Sequence, residues 1–197
     1  MNKLKSYHTE GVIECGVDEV GRGVLAGPVV TAAVILPKDF DHDIVKDSKK
    51  LSEKKRKMAY DLIKEHALAY SIDFVGPDYV DTHNILQATM HGMHKSINNL
   101  LIKPEHLLVD GNYFNQYQDI PHTCVIKGDN SYYSIAAASI LAKVTRDEYM
   151  KEKHNEYPQY EWSSNKGYGT KKHMEMIKEC GITPHHRKTF LKNILND

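Results

Sequence analysis

Hydrophobic residues along the chain fall into five short runs that are typical of β-strands. The first, at residues 12–17, ends in Asp18 and Glu19, and the second, at residues 29–36, is nearly continuous in apolar residues and is closed by Pro37. A continuous apolar run is typical of a strand that is covered on both faces. Alternation of apolar and polar positions, or a short apolar stretch before an aspartate, predicts three more strands, at residues 68–75, 107–109 and 123–126.

Four further stretches have the apolar spacing of helices. Ser52 can cap the first, and Asp81 or Thr82 can cap the second. The third is rich in alanine, which suits a helix that lies close against a sheet. The fourth begins at Thr170 and ends at Gly181, where cap and stop residues stand. The apolar positions of these helices lie within residues 59–67, 86–100, 134–150 and 170–181.

Length and composition are those expected of one soluble globular domain. The chain has 197 residues, of which 41% are hydrophobic and 26% are charged. With the pattern above, they predict an α/β fold over residues 1–197, with a mixed five-stranded sheet and a helical portion from about residue 157. No apolar run approaches the roughly 18 residues of a membrane span, so we expect no membrane partner. Three scattered cysteines predict reduced thiols and a cytoplasmic location.

The charge distribution gives only weak support for a nucleic-acid partner. The net charge is zero, whereas proteins that bind polyanions usually have a basic excess. Basic residues are concentrated in three tracts, at residues 46–57, 166–173 and 185–192. Each tract alone is more often a solvated helix face than a binding site. They favour a polyanionic partner only if the fold brings them to one side of the molecule.

The glycine-rich segment after the first strand, residues 16–28 (GVDEVGRGVLAGP), is the most informative part of the sequence. A dinucleotide-binding loop would have to open a helix, whereas this segment leads through Pro28 into the second strand. Asp18 and Glu19 would also repel a bare phosphate. The segment therefore favours a site where a cation lies between the acids and a phosphate.

Four acidic residues follow predicted strands: Asp18, Glu19, Asp110 and Asp129. Carboxylate oxygens are the ligands that Mg²⁺ and Mn²⁺ prefer, so a fold that brings these strand ends together makes a divalent metal site. Adjacent strand residues point to opposite faces, so Asp18 and Glu19 can share a site only where their strand is ending. Asp129 could equally cap the helix that follows it.

Other catalytic residues have less support. Asp147 is a rival fourth acid, but it lies along a helix beside Arg146, which predicts an ion pair. The twelve histidines include close pairs without a third ligand at zinc-binding spacing. None of the three cysteines has a partner that indicates nucleophilic catalysis.

Several of these segments resemble the motifs of ribonuclease HII. Residues 18–23 (DEVGRG) with 25–30 (LAGPVV) are similar to the first motif of that family, and residues 47–52 (DSKKLS) to the second. Further similar segments follow in order: residues 109–111 (VDG), 127–129 (KGD), 135–147 (IAAASILAKVTRD) and 165–170 (NKGYGT). The departures are Val24, where a proline is common, and an unusual linker at residues 130–133. The resemblance spans nearly the whole chain.

The resemblance implies a ribonuclease H-like fold and a metal-dependent endoribonuclease. Such an enzyme hydrolyses the RNA strand of RNA–DNA hybrids and nicks DNA duplexes 5′ of single embedded ribonucleotides, leaving 5′-phosphate and 3′-hydroxyl ends. The implied catalytic residues, which would hold two Mn²⁺ or Mg²⁺ ions, are Asp18, Glu19, Asp110 and Asp129. The residues implied to recognise the junction between ribose and deoxyribose are Gly21, Arg22, Gly23 and Tyr168. We expect Lys49 and Lys50 to contact backbone phosphates, and we expect a monomer.

Two other classes of protein are compatible with the residues themselves. A non-catalytic module that binds hybrids would keep the basic tracts but would not need four convergent acids. A metal nuclease of different specificity, such as a DNA exonuclease or a resolvase, would have the same acids. Cleavage of a DNA duplex that contains one ribonucleotide, in the presence of Mg²⁺ or Mn²⁺, distinguishes the three.

Overall fold

The computed structural model of the protein describes residues 3–46 and 48–195 and is built around a mixed five-stranded sheet. Asp47, which begins the second of the segments that resemble ribonuclease HII, lies outside the described residues. The strands are β1 (Glu14–Val20), β2 (Val29–Ile35), β3 (Ala69–Val75), β4 (His106–Asp110) and β5 (His122–Val125). Their spatial order is β3-β2-β1-β4-β5. β1 runs antiparallel to β2 and parallel to β4, β2 is antiparallel to β3, and β4 is parallel to β5. The predicted mixed five-stranded sheet is confirmed.

Helices cover both faces of the sheet. The helices within the described residues are α1 (Glu53–His66), α2 (Pro77–Asn98), α3 (Tyr133–Glu156), α4 (Trp162–Asn165), α5 (Lys171–Cys180) and α6 (Lys188–Leu195). One core forms between the sheet and α1 with α3, and a second forms between the sheet and α2. Every residue of β2 is buried, because apolar side chains on both of its faces meet a helix layer. No helix in the described part of the chain is both long and apolar enough to cross a membrane.

The caps of α1 and α5 are those that the sequence predicts. The Ser52 hydroxyl accepts a hydrogen bond from the backbone amide of Lys55, and the Thr170 hydroxyl accepts one from the amide of His173. Each bond satisfies one of the amides that a helix start leaves without a partner. The local sequence is therefore enough to place the starts of these two helices.

The prediction for the start of α2 was wrong. The helix begins earlier, at Pro77, and is broken at Asn84, where φ is 65° and ψ is 168°. The side-chain oxygen of Asn84 accepts from the backbone amides two and three residues further on, so Asn84 caps the second half of α2. Asp81 instead accepts from the first two backbone amides of α6. Asp81, which the local pattern predicted as a cap of α2, therefore caps the distant helix α6 instead.

The C-terminal portion is helical, as predicted, although α6 was not predicted. Its buried residues form a small core with Ala26 of the glycine-rich segment and Met150 of α3; they include Tyr160, Trp162, Ile177 and Leu191. This core fixes the C-terminal helices against the segment between β1 and β2.

Candidate active site

Three carboxylates meet where β1 and β4 end side by side. The two strands are parallel and in register, so Asp18, Glu19 and Asp110 come to the same edge of the sheet. Burial raises the pKa of the Asp18 carboxyl, and the negative charges of Glu19 and Asp110 raise it further. Burial also raises the pKa of Glu19, an effect that Arg22 opposes and Asp110 reinforces. The three carboxyls therefore lie close enough to repel one another.

Hydrogen bonds turn Asp18 toward the same site as its neighbour. Its Oδ1 atom accepts from the backbone amide of Glu19 at 2.7 Å, and the Ser139 hydroxyl of α3 lies close enough to lower the pKa of this carboxyl. Ser139 in turn lies 3.1 Å from the Ser48 hydroxyl. β1 ends at Val20, one residue after Glu19, which agrees with the expectation that the two acids share a site where their strand is ending. Ser139 was missed in the sequence, where it is one small residue in an alanine-rich helix.

Asp110 and Asp129 are linked by the turn after β5. The Oδ1 atom of Asp110 accepts a hydrogen bond from the backbone amide of Gly128 at 2.6 Å. Asp129 follows in the same 3-10 turn, is 5% exposed, and accepts from the side-chain amide of Asn130 at 2.9 Å. Helix α3 begins without a side-chain cap, so the alternative role of Asp129 as a helix cap is wrong.

The donor chemistry of this edge fits a hard divalent cation. It consists of carboxylate oxygens that repel one another, and a dication relieves that repulsion. Among the described residues, no three His, Cys, Asp or Glu side chains are already arranged around one ion. Two of the acids, Asp18 and Asp110, use an oxygen to accept from a backbone amide, which stabilises part of the negative charge of the cluster.

Asp147, the rival fourth acid, is engaged elsewhere. One of its oxygens accepts from Lys143 at 2.7 Å, and the other lies 3.8 Å from Arg56. The partner expected from the sequence, Arg146, directs its nitrogens to backbone carbonyls, and the charge of Asp147 reaches it only at longer range. These contacts favour Asp129 as the fourth acid, which stays a prediction.

The loop at residues 21–27, which we call the glycine loop, lies beside the acids and is supported by a buried arginine. Arg187 is fully buried and donates to the carbonyls of Gly21 at 2.6 Å, Arg22 at 2.8 Å and Gly27 at 3.0 Å. Burial lowers the pKa of its guanidinium to about 9. The basic tract at residues 185–192 therefore contributes, through Arg187, to the interior of the site rather than to its surface.

A second buried arginine joins the glycine loop to Tyr168. Arg146 donates to the carbonyls of Ala26 at 3.0 Å, Pro28 at 3.0 Å and Lys166 at 2.8 Å. Its guanidinium carbon lies 6.0 Å from the centre of the Tyr168 ring, within the range of a cation–π contact. Segments that are about 140 positions apart in sequence are thus fixed as one surface.

The two glycines that flank Arg22 are glycines for different reasons. Gly21 has a φ of 93°, and a Cβ added there would lie 2.4 Å from Arg146 Nε, so the fold itself requires glycine. Gly23 is exposed, and an added Cβ would meet nothing within 4 Å. The packing of the fold therefore does not require glycine at position 23.

Tyr168 stands half-exposed next to the glycine loop; its exposed fraction is 42%. The preceding residue, Gly167, has a φ of 82°, and its carbonyl accepts from the backbone amides of Leu25 and Ala26. A Cβ on Gly167 would lie 2.3 Å from the Ala26 carbonyl oxygen. Glycine at this position therefore allows close contact between the two backbones, and the Tyr168 ring is placed by that contact.

Lys49 and Lys50 are exposed on the 3-10 turn Ser48–Lys50. The Lys50 ammonium donates to the side-chain oxygen of Asn130, the residue that follows Asp129. Other residues of the basic tracts have internal partners, among them Arg56, which donates to the carbonyls of Ser48 and Leu51. Only part of each tract is therefore a solvated basic surface.

Comparison with known proteins agrees with this geometry. The family model for ribonuclease HII matches residues 15–193. The chain is 56% identical to a ribonuclease HII of Parabacteroides distasonis, over 95% of this chain and 94% of that protein. It is 54% identical to a ribonuclease HII of Bacteroides thetaiotaomicron, over 98% of this chain and 96% of that protein. The chain belongs to the ribonuclease HII family.

A solved ribonuclease supports the same fold for this ribonuclease HII. The ribonuclease H2 of Pyrococcus horikoshii superposes with a TM-score of 0.80 at 25% identity, over 93% of this chain and 97% of that one. The predicted ribonuclease H-like fold is confirmed. As a ribonuclease HII, the protein is a metal-dependent nuclease that acts on the RNA of RNA–DNA hybrids.

Proposed function

We propose that this ribonuclease HII also nicks DNA duplexes 5′ of single embedded ribonucleotides, by two-metal-ion hydrolysis that leaves 5′-phosphate and 3′-hydroxyl ends. The observation that carries the proposal is the fixed surface made by the glycine loop and Tyr168 beside the three carboxylates. A site that recognises both sides of a ribose–deoxyribose junction needs two recognition elements at a constant separation. The contacts of Arg146 and Gly167 keep the distance between the glycine loop and Tyr168 constant.

The acids are the metal-binding part of the proposed mechanism. Asp18, Glu19 and Asp110 would bind two Mn²⁺ or Mg²⁺ ions, with Asp129 as the fourth ligand. When bound, the ions supply a water nucleophile of lowered pKa and stabilise the charge on the leaving 3′-oxygen. The protein keeps the carboxylates oriented through Ser139 and the Gly128 amide.

Backbone amides of the glycine loop are suited to recognising a ribose. The carbonyls of Gly21 and Arg22 are bound by Arg187, and the peptides are trans. Because the N–H of a trans peptide points away from its C=O, the amides of Arg22 and Gly23 point away from Arg187. They can donate to a 2′-hydroxyl oxygen, the group that distinguishes RNA from DNA.

Tyr168 is proposed to select deoxyribose on the 3′ side of the cut. An aromatic ring can stack on a sugar or base, and a 2′-hydroxyl placed against the ring would obstruct that contact. Lys49 and Lys50 are proposed to contact backbone phosphates. The helical portion from residue 157, which carries Tyr168, is proposed to contribute to substrate binding within a single domain. The monomeric state and the cytoplasmic location stay predictions.

Gly23 gives the sharpest test. Gly23→Ala should fold as the wild type does, because the added Cβ meets open space, yet it should slow cleavage of a duplex with one ribonucleotide by tenfold or more, on the order of the 1.4 kcal/mol that such a factor requires. Gly76→Ala is the matched control, because a Cβ there also meets nothing within 4 Å. Both variants are compared by melting temperature and by single-turnover cleavage.

Wild-type cleavage by Gly23→Ala would refute the proposed approach of the sugar to the glycine loop. An all-DNA duplex of the same sequence serves as the substrate control. If the wild-type enzyme cuts it as fast as the ribonucleotide-containing duplex, the protein is a metal nuclease of broader specificity.

A further inference from the structure

Two buried histidines form a chain of hydrogen bonds that ends on Tyr168. His173 and His186 are 0% and 1% exposed, and their Nε2 atoms lie 3.2 Å apart. The Nδ1 atom of His173 lies 2.8 Å from the carbonyl oxygen of Tyr168. At the other end, His186 Nδ1 lies 3.0 Å from the backbone nitrogen of Thr183. Neither of these two side chains belongs to the acidic cluster or to the glycine loop.

The direction of every bond in this chain follows from its fixed ends. The Tyr168 carbonyl can only accept, so His173 Nδ1 carries the proton. Trp162 Nε1 can only donate, and it does so to His173 Nε2 at 3.1 Å; that nitrogen is therefore an acceptor, and the ring is neutral. His186 Nδ1 accepts from the amide of Thr183, so the proton of a neutral His186 is on Nε2, which faces the same lone pair of His173 as Trp162 does. One neutral tautomer of each ring is compatible with these contacts.

The position of Tyr168 depends on this arrangement. Its carbonyl accepts from His173 and from the backbone amide of Thr170, and its amide donates to the Asn165 carbonyl at 2.9 Å. The aromatic ring itself is half-exposed, and the guanidinium carbon of Arg146 lies 6.0 Å from its centre. The orientation of the ring is therefore set through the backbone that His173 holds.

We propose that His173 is a positioning residue for substrate discrimination, which holds Tyr168 through its Nδ1–H while Trp162 and His186 fix its tautomer. This inference rests on the proposed function, in which Tyr168 meets the deoxyribose. Burial lowers the pKa of both imidazoles, which agrees with the neutral state that the hydrogen bonds require.

A pair of substitutions at His173 separates its two contacts. The side-chain amide nitrogen of asparagine lies near the position of imidazole Nδ1, so His173→Asn keeps a donor for the Tyr168 carbonyl and loses the contact with Trp162. Glutamine extends to the position of Nε2, so His173→Gln keeps an acceptor for Trp162 and loses the bond to Tyr168. Each variant should therefore keep the contact that the other loses.

The quantity to measure is the discrimination ratio, defined as kcat/KM on a duplex with one ribonucleotide divided by kcat/KM on a continuous RNA–DNA hybrid. Tyr168→Ala should lower this ratio by about five- to 150-fold, the range of a lost stacking contact. His173→Gln should lower it several-fold, and His173→Asn should leave it near the wild-type value. In the Tyr168→Ala background, His173→Gln should have no additional effect on the ratio.

Trp162 provides a readout that does not depend on activity, because it is the only tryptophan of the chain. Its emission spectrum should be preserved in His173→Gln and shifted in His173→Asn. A purely structural role for His173 predicts instead that the discrimination ratio follows the loss of melting temperature in both variants. That result would overturn the inference.

The outcomes also separate this inference from the proposed function. If Tyr168→Ala leaves the discrimination ratio unchanged, the proposed function of Tyr168 is wrong. If Tyr168→Ala lowers the ratio and a folded His173→Gln does not, only the role of His173 is wrong. Should His173→Gln not fold, Trp162→Phe removes the N–H that fixes the tautomer, and it should lower the ratio in the wild-type background but not with Tyr168→Ala.

Discussion

At the scale of single residues, the carboxylates of the site repel one another, and hydrogen bonds from backbone amides oppose that repulsion. The spacing of acids after apolar runs was enough to predict Asp18, Glu19 and Asp110, which the structure brings together. Ser139 could not be predicted, because its contact with Asp18 joins a helix to a strand about 120 positions earlier in sequence. Local patterns therefore predict acids at strand ends more readily than the residues that contact those acids from distant segments.

The repulsion has a consequence for Asp110→Asn. The substitution keeps an oxygen that can accept from the Gly128 amide but removes a negative charge from beside Asp18 and Glu19. We expect loss of cleavage with unchanged affinity for an uncut hybrid, and a metal-free melting temperature at or above that of the wild type. Mn²⁺ should raise the melting temperature of the wild type more than that of the variant. Equal stabilisation of both proteins by Mn²⁺ would remove Asp110 from the metal site.

The fourth acid is tested by comparing Asp129→Asn with Asp147→Asn. Asp129 lies in the turn that holds Asp110, and its replacement should lower the cleavage rate by roughly a hundredfold, as loss of one group that stabilises a transition state can. Asp147 is paired with Lys143 and Arg56, so its replacement should lower the melting temperature and leave the rate of the folded enzyme nearly unchanged. The reverse pattern, measured with Mn²⁺ at saturation, would assign the role to Asp147.

At the scale of elements, the helices of the C-terminal portion depend on neutral histidines. His173 lies in α5, and His186 lies just before α6. Burial lowers the pKa of both imidazoles, for His186 from 6.5 to about 4. In the unfolded chain these imidazoles bind protons below about pH 6.5. In the folded protein they bind protons only at lower pH. The stability that they contribute is complete above pH 6.5 and is lost as the pH falls toward 4.

This linkage is measurable as a difference between two proteins. We expect the free energy of unfolding, from urea titrations at several pH values, to fall more steeply below pH 6.5 in the wild type than in His186→Gln. The excess slope should reach at most about 1.4 kcal/mol per pH unit for this one group. Glutamine can still donate to His173 but does not titrate. Parallel curves for the two proteins would show that His186 is not held neutral by the fold.

At the scale of the whole molecule, the sheet could be predicted from sequence because strands are defined by short local patterns. The alternation in β3 and the continuous apolar run of β2 each appear in the structure within a residue or two. The start of α2 and the existence of α6 could not be predicted, because Asp81 joins these helices across 107 positions. The support of the glycine loop by Arg146 and Arg187 is equally non-local.

The contacts of Arg187 also make the glycine loop depend on a segment that is synthesised much later. The glycine loop is synthesised early. The hydrogen-bond donor to its carbonyls at Gly21, Arg22 and Gly27 is Arg187, which is synthesised 160 or more residues later. A nascent chain still lacking Arg187 carries the acids of β1 and β4 but not the hydrogen bonds that this arginine donates to the loop. A chain truncated before Arg187 would therefore have all four predicted acids and a glycine loop that lacks the support of this arginine.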